Sequence, residues 1–225
     1  SPRSYAAVAS NLSYLLAVLL GHDNQVQLVM DEWNADAGLN PTRNDGNYDA
    51  AYLAASLYYM DSSPLDVQCF FEPKDGWNPD AEWWGRWGLF TSANNPKAAY
   101  FAWRLVADLA RERVAASFPI GPVGCIATWQ ASGLRALVWN CSYTEEGPSK
   151  RAVVRTEGLP EGERLRLQLW RVDATHSNPA AGTPSELALV RDELVSRAEA
   201  RKVELDLPPG SLVLLAIDSE HPPVP

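Results

Sequence analysis

The chain has 225 residues, 46% of them apolar and 21% charged, with nine Trp and eight Tyr. That composition belongs to a folded globular protein rather than a disordered chain, and the length suits one large domain or two smaller ones. A formal net charge of -9, with no run of Lys and Arg to offset it locally, would repel a phosphate backbone, so no nucleic-acid partner is expected.

Residues 5–20 carry apolar side chains at helical spacing (Tyr5, Val8, Leu12, Leu15, Leu16, Leu19), and Gly21 supplies a stop. The apolar run inside this helix, residues 14–20, is too short to span a bilayer, so no membrane partner is expected. No export signal is visible, and the compartment is left open. Residues 25–30 read as a buried strand ending in Asp31-Glu32-Trp33-Asn34. A loop rich in Asn, Asp, Gly and Pro over residues 35–46 leads to a helix at 48–60, and Pro64 breaks the chain before a second buried strand at 67–71. That strand ends in Glu72-Pro73-Lys74-Asp75-Gly76 and a Trp-rich loop through Trp87; a third helix is predicted at 97–113. Helices alternating with strands too apolar to have a wet face are the pattern of parallel βα units, whose chemistry sits on the loops after the strands.

After Pro119-Ile120-Gly121-Pro122 the pattern changes. Candidate strands fall at 126–129, 134–140, 151–156, 165–172, 203–207 and 212–217, and Leu165, Leu167 and Leu169 alternate with Arg164, Arg166 and Gln168. This predicts an antiparallel β-sandwich domain with one short helix at 185–195. Three Cys (Cys69, Cys125, Cys141) cannot pair completely, and without CxxC or Cys/His spacing no metal and no cofactor is expected.

The segment Leu28-Val29-Met30-Asp31-Glu32-Trp33-Asn34 resembles the seventh strand of clan A glycoside hydrolases. Cys69-Phe70-Phe71-Glu72, Trp84-Gly85-Arg86-Trp87-Gly88-Leu89-Phe90 and Asn95-Pro96-Lys97-Ala98-Ala99-Tyr100 are similar to its eighth strand, following loop and last helix. Leu137-Val138-Trp139-Asn140 and Trp170-Arg171-Val172-Asp173-Ala174-Thr175-His176-Ser177-Asn178-Pro179 resemble the β-domain of glycoside hydrolase family 39, which includes β-xylosidases and α-iduronidases. The resemblance implies an α/β plus all-β chain: residues 1–118 form the C-terminal part of a (β/α)8 TIM barrel, about its last two βα units, and residues 119–225 a β-sandwich accessory domain. It also implies a retaining glycosidase acting on a carbohydrate, with a β-xyloside as first guess. The family's general acid/base ends the fourth strand, and no position here takes that role. The missing N-terminal barrel segment is therefore expected from absent sequence or a complementing chain.

Retaining hydrolysis needs two carboxyl groups about 5 Å apart. The resemblance makes Glu32 the catalytic nucleophile, with Asn34 and the Trp33 indole as candidate donors to keep it ionised; the competing reading is a strand-end ion pair with Lys or Arg. Asn34, Glu72, Asp75, Trp77, Trp84 and Trp87 are the candidate substrate-binding residues. For Glu72 and Asp75 the alternative is a loop salt bridge with Lys74 or Arg86, and some of the tryptophans only pack the loop. Strand alternation separates Asp31 from Glu32 and argues against a catalytic pair. The rival readings are a non-catalytic, sugar-binding or degenerate barrel protein, and a nucleotide-binding fold, which the absence of GxGxxG and GxxxxGK[ST] disfavours.

Overall fold

The computed structural model describes residues 1–142 and 147–220. Its first half runs α1 (Pro2–Leu20), β1 (Val29–Trp33), α2 (Pro41–Asn44), α3 (Asn47–Asp61), β2 (Val67–Phe70) and α4 (Ala98–Ala107). The second half runs β3 (Val123–Trp129), β4 (Gly133–Asn140), β5 (Lys150–Arg155), β6 (Arg164–Val172), a 3-10 turn (Pro179–Ala181), β7 (Ala188–Ser196), α5 (Arg197–Ala200), β8 (Lys202–Leu207) and β9 (Ser211–Ser219).

β1 and β2 pair in parallel, and α3 lies in the crossover that such a pairing requires. α3 is the central helix of this half. Its Ala50, Ala51, Leu53, Ala54 and Ala55 are all buried, so it has no solvent face, and its small side chains let α1, α4 and the sheet behind it approach closely. α1 behaves differently. Ala9 is buried, the Tyr5 hydroxyl donates to Asn34 O at 2.7 Å and Arg3 donates to the Tyr59 hydroxyl. Val8, Leu12, Leu15, Val18 and Leu19 are exposed. By length and composition alone, α1 is also the one helix among the described residues that meets the requirements of a membrane span.

β3, β4, β9, β6 and β7 form an antiparallel five-stranded sheet in that order, and β5 and β8 form a separate two-stranded ladder. One face of the sheet (Leu137, Trp139, Val172, Leu212, Leu214) packs on α3 and α4; the other (Leu165, Leu167, Val213, Leu215, Ile217) packs on Val203, Leu205 and Leu207 of the ladder. Hence every residue of β4, and β9 through Ile217, is buried, as central strands covered on both faces require.

Three predicted elements differ from the structure. Residues 185–195, read as a helix, are largely strand β7: their helical spacing is overruled by pairing with β6, where Arg166 grips Asp192 with two bonds at 2.8 and 2.7 Å. The helix predicted at 97–113 stops at Ala107 because Ala110, Glu112 and Val114 bond to β3 instead, through Thr128, Trp129 and Ala127. The first strand begins at Val29, not residue 25, and continues through Glu32 to Trp33.

The motif at 173–178 is a tightly bonded turn. Asp173 Oδ1 accepts from the Thr175 amide and hydroxyl and contacts His176 Nδ1 at 2.9 Å. Ser177, at φ 51°, donates its hydroxyl to Arg171 O and accepts from the Ala188 amide. Asn178 then reaches across to Asn47 at the start of α3.

Candidate active site

Val29 pairs with Val67, Met30 with Gln68 and Trp33 with Phe70. One extra residue is thereby inserted into β1, a bulge in which Asp31 and Glu32 together face Cys69 of β2. Both carboxylates are exposed, whereas Met30 and Trp33 pack into the helical core. The alternation expected to separate Asp31 from Glu32 is lost at this bulge. Both residues are exposed, while Met30 and Trp33 on either side of them belong to the helix-packed core.

The two donors expected for Glu32 are directed elsewhere. The Trp33 ring is buried edge-on against Phe70 and Tyr5, and its indole N–H donates to Gln68 Oε1. The Asn34 amide donates to Phe71 O and to Trp87 O, and its oxygen accepts from the Ala35 amide. Asn34, expected to touch substrate, thus has its polar atoms bound to backbone and staples the end of β1 to the chain after β2. Among the described residues the Glu32 carboxylate meets no donor and no cation.

The chain after β2 supplies the neighbouring wall. Glu72 is partly buried and accepts from Arg86 Nε at 2.9 Å; the sequence left this pairing open as one of two readings. Arg86 lies over the rings of Trp84 and Trp87, 5.4 and 5.3 Å from their centroids. Trp87 is fixed by its N–H to Asp36 O at 2.8 Å. Trp77 stands free at the loop tip, 79% exposed. Asp75, expected among the sugar-contacting groups, is withdrawn instead: its side chain is fully buried, one oxygen bonded to the Gly88 amide and the other 2.7 Å from Lys97 Nζ.

Lys97 is the residue least visible in advance. It opens α4, its side chain has no exposed surface, and its ammonium meets Asp45 Oδ1 at 2.6 Å, Asp75 Oδ2 at 2.7 Å and Arg86 O at 2.8 Å. Asp45 Oδ2 accepts from the Gly85 amide at 2.7 Å. Burial raises the Asp45 carboxyl against the pull of Lys97. Asp49, in the first turn of α3, is raised well above its ordinary value by complete burial, and among the described residues neither of its oxygens has a hydrogen-bond partner. Asn-Pro-Lys before a helix was visible in the sequence, but nothing in the spacing linked Lys97 to an Asp fifty residues earlier.

A groove of about 570 Å³, lined by Leu57, Val67, Gln68, Trp103 and Ile126, opens at the N-terminal end of β2, away from Glu32.

No protein-family model and no curated protein matches this sequence. Solved structures do match its fold. A monomeric β-xylosidase from Caulobacter crescentus CB15 superposes with a TM-score of 0.80 at 13% identity, over 98% of this chain and 51% of that one. A family 39 glycoside hydrolase from Xanthomonas axonopodis pv. citri gives 0.77 at 17% identity, over 97% and 49%. A bacterial orthologue of human α-L-iduronidase gives 0.76 at 16%, over 97% and 46%. The chain has the fold of a C-terminal portion of such enzymes, and spans about half the length of the structures it matches.

Proposed function

We propose that this chain is the C-terminal half of a retaining glycoside hydrolase in which Glu32 is the nucleophile and a β-xyloside-like sugar the substrate. Residues 1–118 are the last two βα units of a TIM barrel, and residues 119–225 a β-sandwich packed on them. The observation that carries this reading is the placement of Glu32: exposed in a bulge at the C-terminal end of a parallel strand. There a parallel barrel places its chemistry.

In the proposed reaction a Glu32 oxygen attacks the anomeric carbon while the glycosidic C–O bond breaks and a second carboxyl group protonates the leaving oxygen. Water, deprotonated by that same second group, then cleaves the glycosyl ester and returns Glu32. Asp31 does not serve as the acid, since it shares the bulge with Glu32 and lies on the same side of any bound ring. The polypeptide that completes the barrel supplies the acid, and with it the donors that hold Glu32 ionised. Support for such a complement comes from the two-stranded parallel sheet, which among the described residues has no further strand on either edge, and from the apolar stripe of α1 that those residues leave exposed.

The Glu72–Arg86 pair, flanked by Trp84 and Trp87, forms the wall against which the sugar would lie, and Trp77 is placed to stack on a group beyond it. The test is covalent trapping in the completed assembly. A 2-deoxy-2-fluoro xyloside should label Glu32, and Glu32→Gln should lower turnover by orders of magnitude while leaving the fold intact. Labelling of another residue, or normal turnover in Glu32→Gln, would remove the assignment.

A further inference from the structure

The Lys97 ammonium donates to the Arg86 carbonyl and forms ion pairs with two carboxylates, and the three groups belong to different segments: Asp45 before α3, Asp75 after β2, and Arg86 in the loop that follows. The two carboxylates extend the grip. Asp45 holds the Gly85 amide and Asp75 the Gly88 amide, each at 2.7 Å. Asn44 and the Asn40 amide bond to Gly85 O at 2.8 and 3.1 Å. Both glycines are packed against backbone, so that a Cβ at Gly85 would meet Asn40 N and Pro41 N at 2.4 Å, and one at Gly88 would meet Asp75 N at 2.4 Å. The residues between them, Arg86 and Trp87, are the ones that face Glu72 and Asp36.

We infer that Lys97 is a positioning residue: its buried ammonium cross-links the loops after β1 and β2, and so presets the Arg86 guanidinium on Glu72 before a sugar arrives. Lys97 touches no substrate itself. A buried cation ion-paired with two carboxylates and hydrogen-bonded to a carbonyl holds them together, because any excursion leaves a charge unpaired out of water. That the preset wall serves sugar recognition rests on the function proposed above. The clamp itself does not.

The experiment measures amide exchange by NMR in the 225-residue chain and in Lys97→Met. Exchange at Gly85 and Gly88 should quicken by about ten-fold or more, while Leu137 and Leu214 in the central strands keep their rates. Unchanged rates at the two glycines, or equal quickening at all four residues, would overturn the clamp. Should Lys97→Met fail to fold, Asp45→Ala gives the decision: it removes the acceptor of the Gly85 amide and should free Gly85 while leaving Gly88 protected, and loss or retention of both together would overturn it. In the hydrolysing assembly Lys97→Met should raise KM about ten-fold with kcat within about three-fold, and Arg86→Ala added to it should cost little more. Independent, additive effects would show that Lys97 does not act through Arg86. If the assembly hydrolyses no glycoside, the exchange data still judge the clamp.

Discussion

The Asn178 side-chain amide donates to Asn47 Oδ1 at 3.1 Å, joining the turn after β6 to the first residue of α3. Asn47 passes the connection on, donating its own amide to Pro209 O and Gly210 O at 3.2 and 2.9 Å. Two neutral amides thus fasten the five-stranded sheet to the helix that leads to Asp49. Asn178→Ala removes one of these bonds and should cost about 1 kcal/mol in urea unfolding; Asn47→Ala removes three and should cost about 2 kcal/mol or more. Equal losses would mean that Asn47 does not carry the junction.

Glu72 and Arg86 share one ion pair, partly buried, with two tryptophan rings against the guanidinium. If the pair is the recognition wall of the proposed site, Glu72→Gln and Arg86→Ala should each raise KM about ten-fold with kcat nearly unchanged, since contacts made equally in ground and transition states affect KM alone. Unaltered kinetics with a lowered melting temperature would reduce the pair to a loop brace.

The main elements could be read because their signals are local. Apolar runs bounded by Gly and Pro marked β1 and β2, and Leu165, Leu167 and Leu169 marked a half-buried strand in β6. The errors came where distant partners decide. Leu187 to Leu194 has helix-like spacing, but β6 offers it an edge to pair with. Alternation correctly predicts opposite faces for Asp31 and Glu32 in a regular strand, and the bulge that brings them together arises from register with β2. Asp75 looked like a sugar ligand because it follows a strand in a polar loop; the cation that buries it lies twenty-two residues on, at Lys97.

Asp49 sets a pH dependence. In the unfolded chain its carboxyl titrates near 3.8, whereas burial raises it well above that in the folded protein. Between those two values the unfolded chain has released its proton and the folded chain has not. The Asp49 contribution to stability therefore falls as pH rises through that window, and levels off above the folded value. Asp49→Asn cannot ionise. Its stability relative to the parent chain should climb from pH 4 to pH 8, and taking the difference between the two proteins cancels the opposite trends of paired surface carboxylates such as Asp192 and Glu204. A flat difference would show that Asp49 is ionised in the folded chain and finds its compensation in Lys97.

The last prediction concerns the uncovered side of α1. Leu12, Leu15 and Leu19 follow one another at spacings of three and four residues and are exposed, Leu19 to 76%. A leucine stripe at that spacing is a helix-packing surface, and each leucine covered by a partner contributes about 1.5–3 kcal/mol. Left open, it should draw copies of the chain together. Leu15→Glu with Leu19→Glu should change the melting temperature by less than about 2 °C, since neither residue is part of the core. The same double substitution should convert a self-associating chain into a monomer in sedimentation velocity. It should also prevent capture of any polypeptide that closes the sheet beyond β1, because two buried carboxylates would then face that partner without a cation. A parent chain that is already monomeric at micromolar concentration, together with a double variant that melts several degrees lower, would mean that these leucines pack within the chain and that α1 needs no cover.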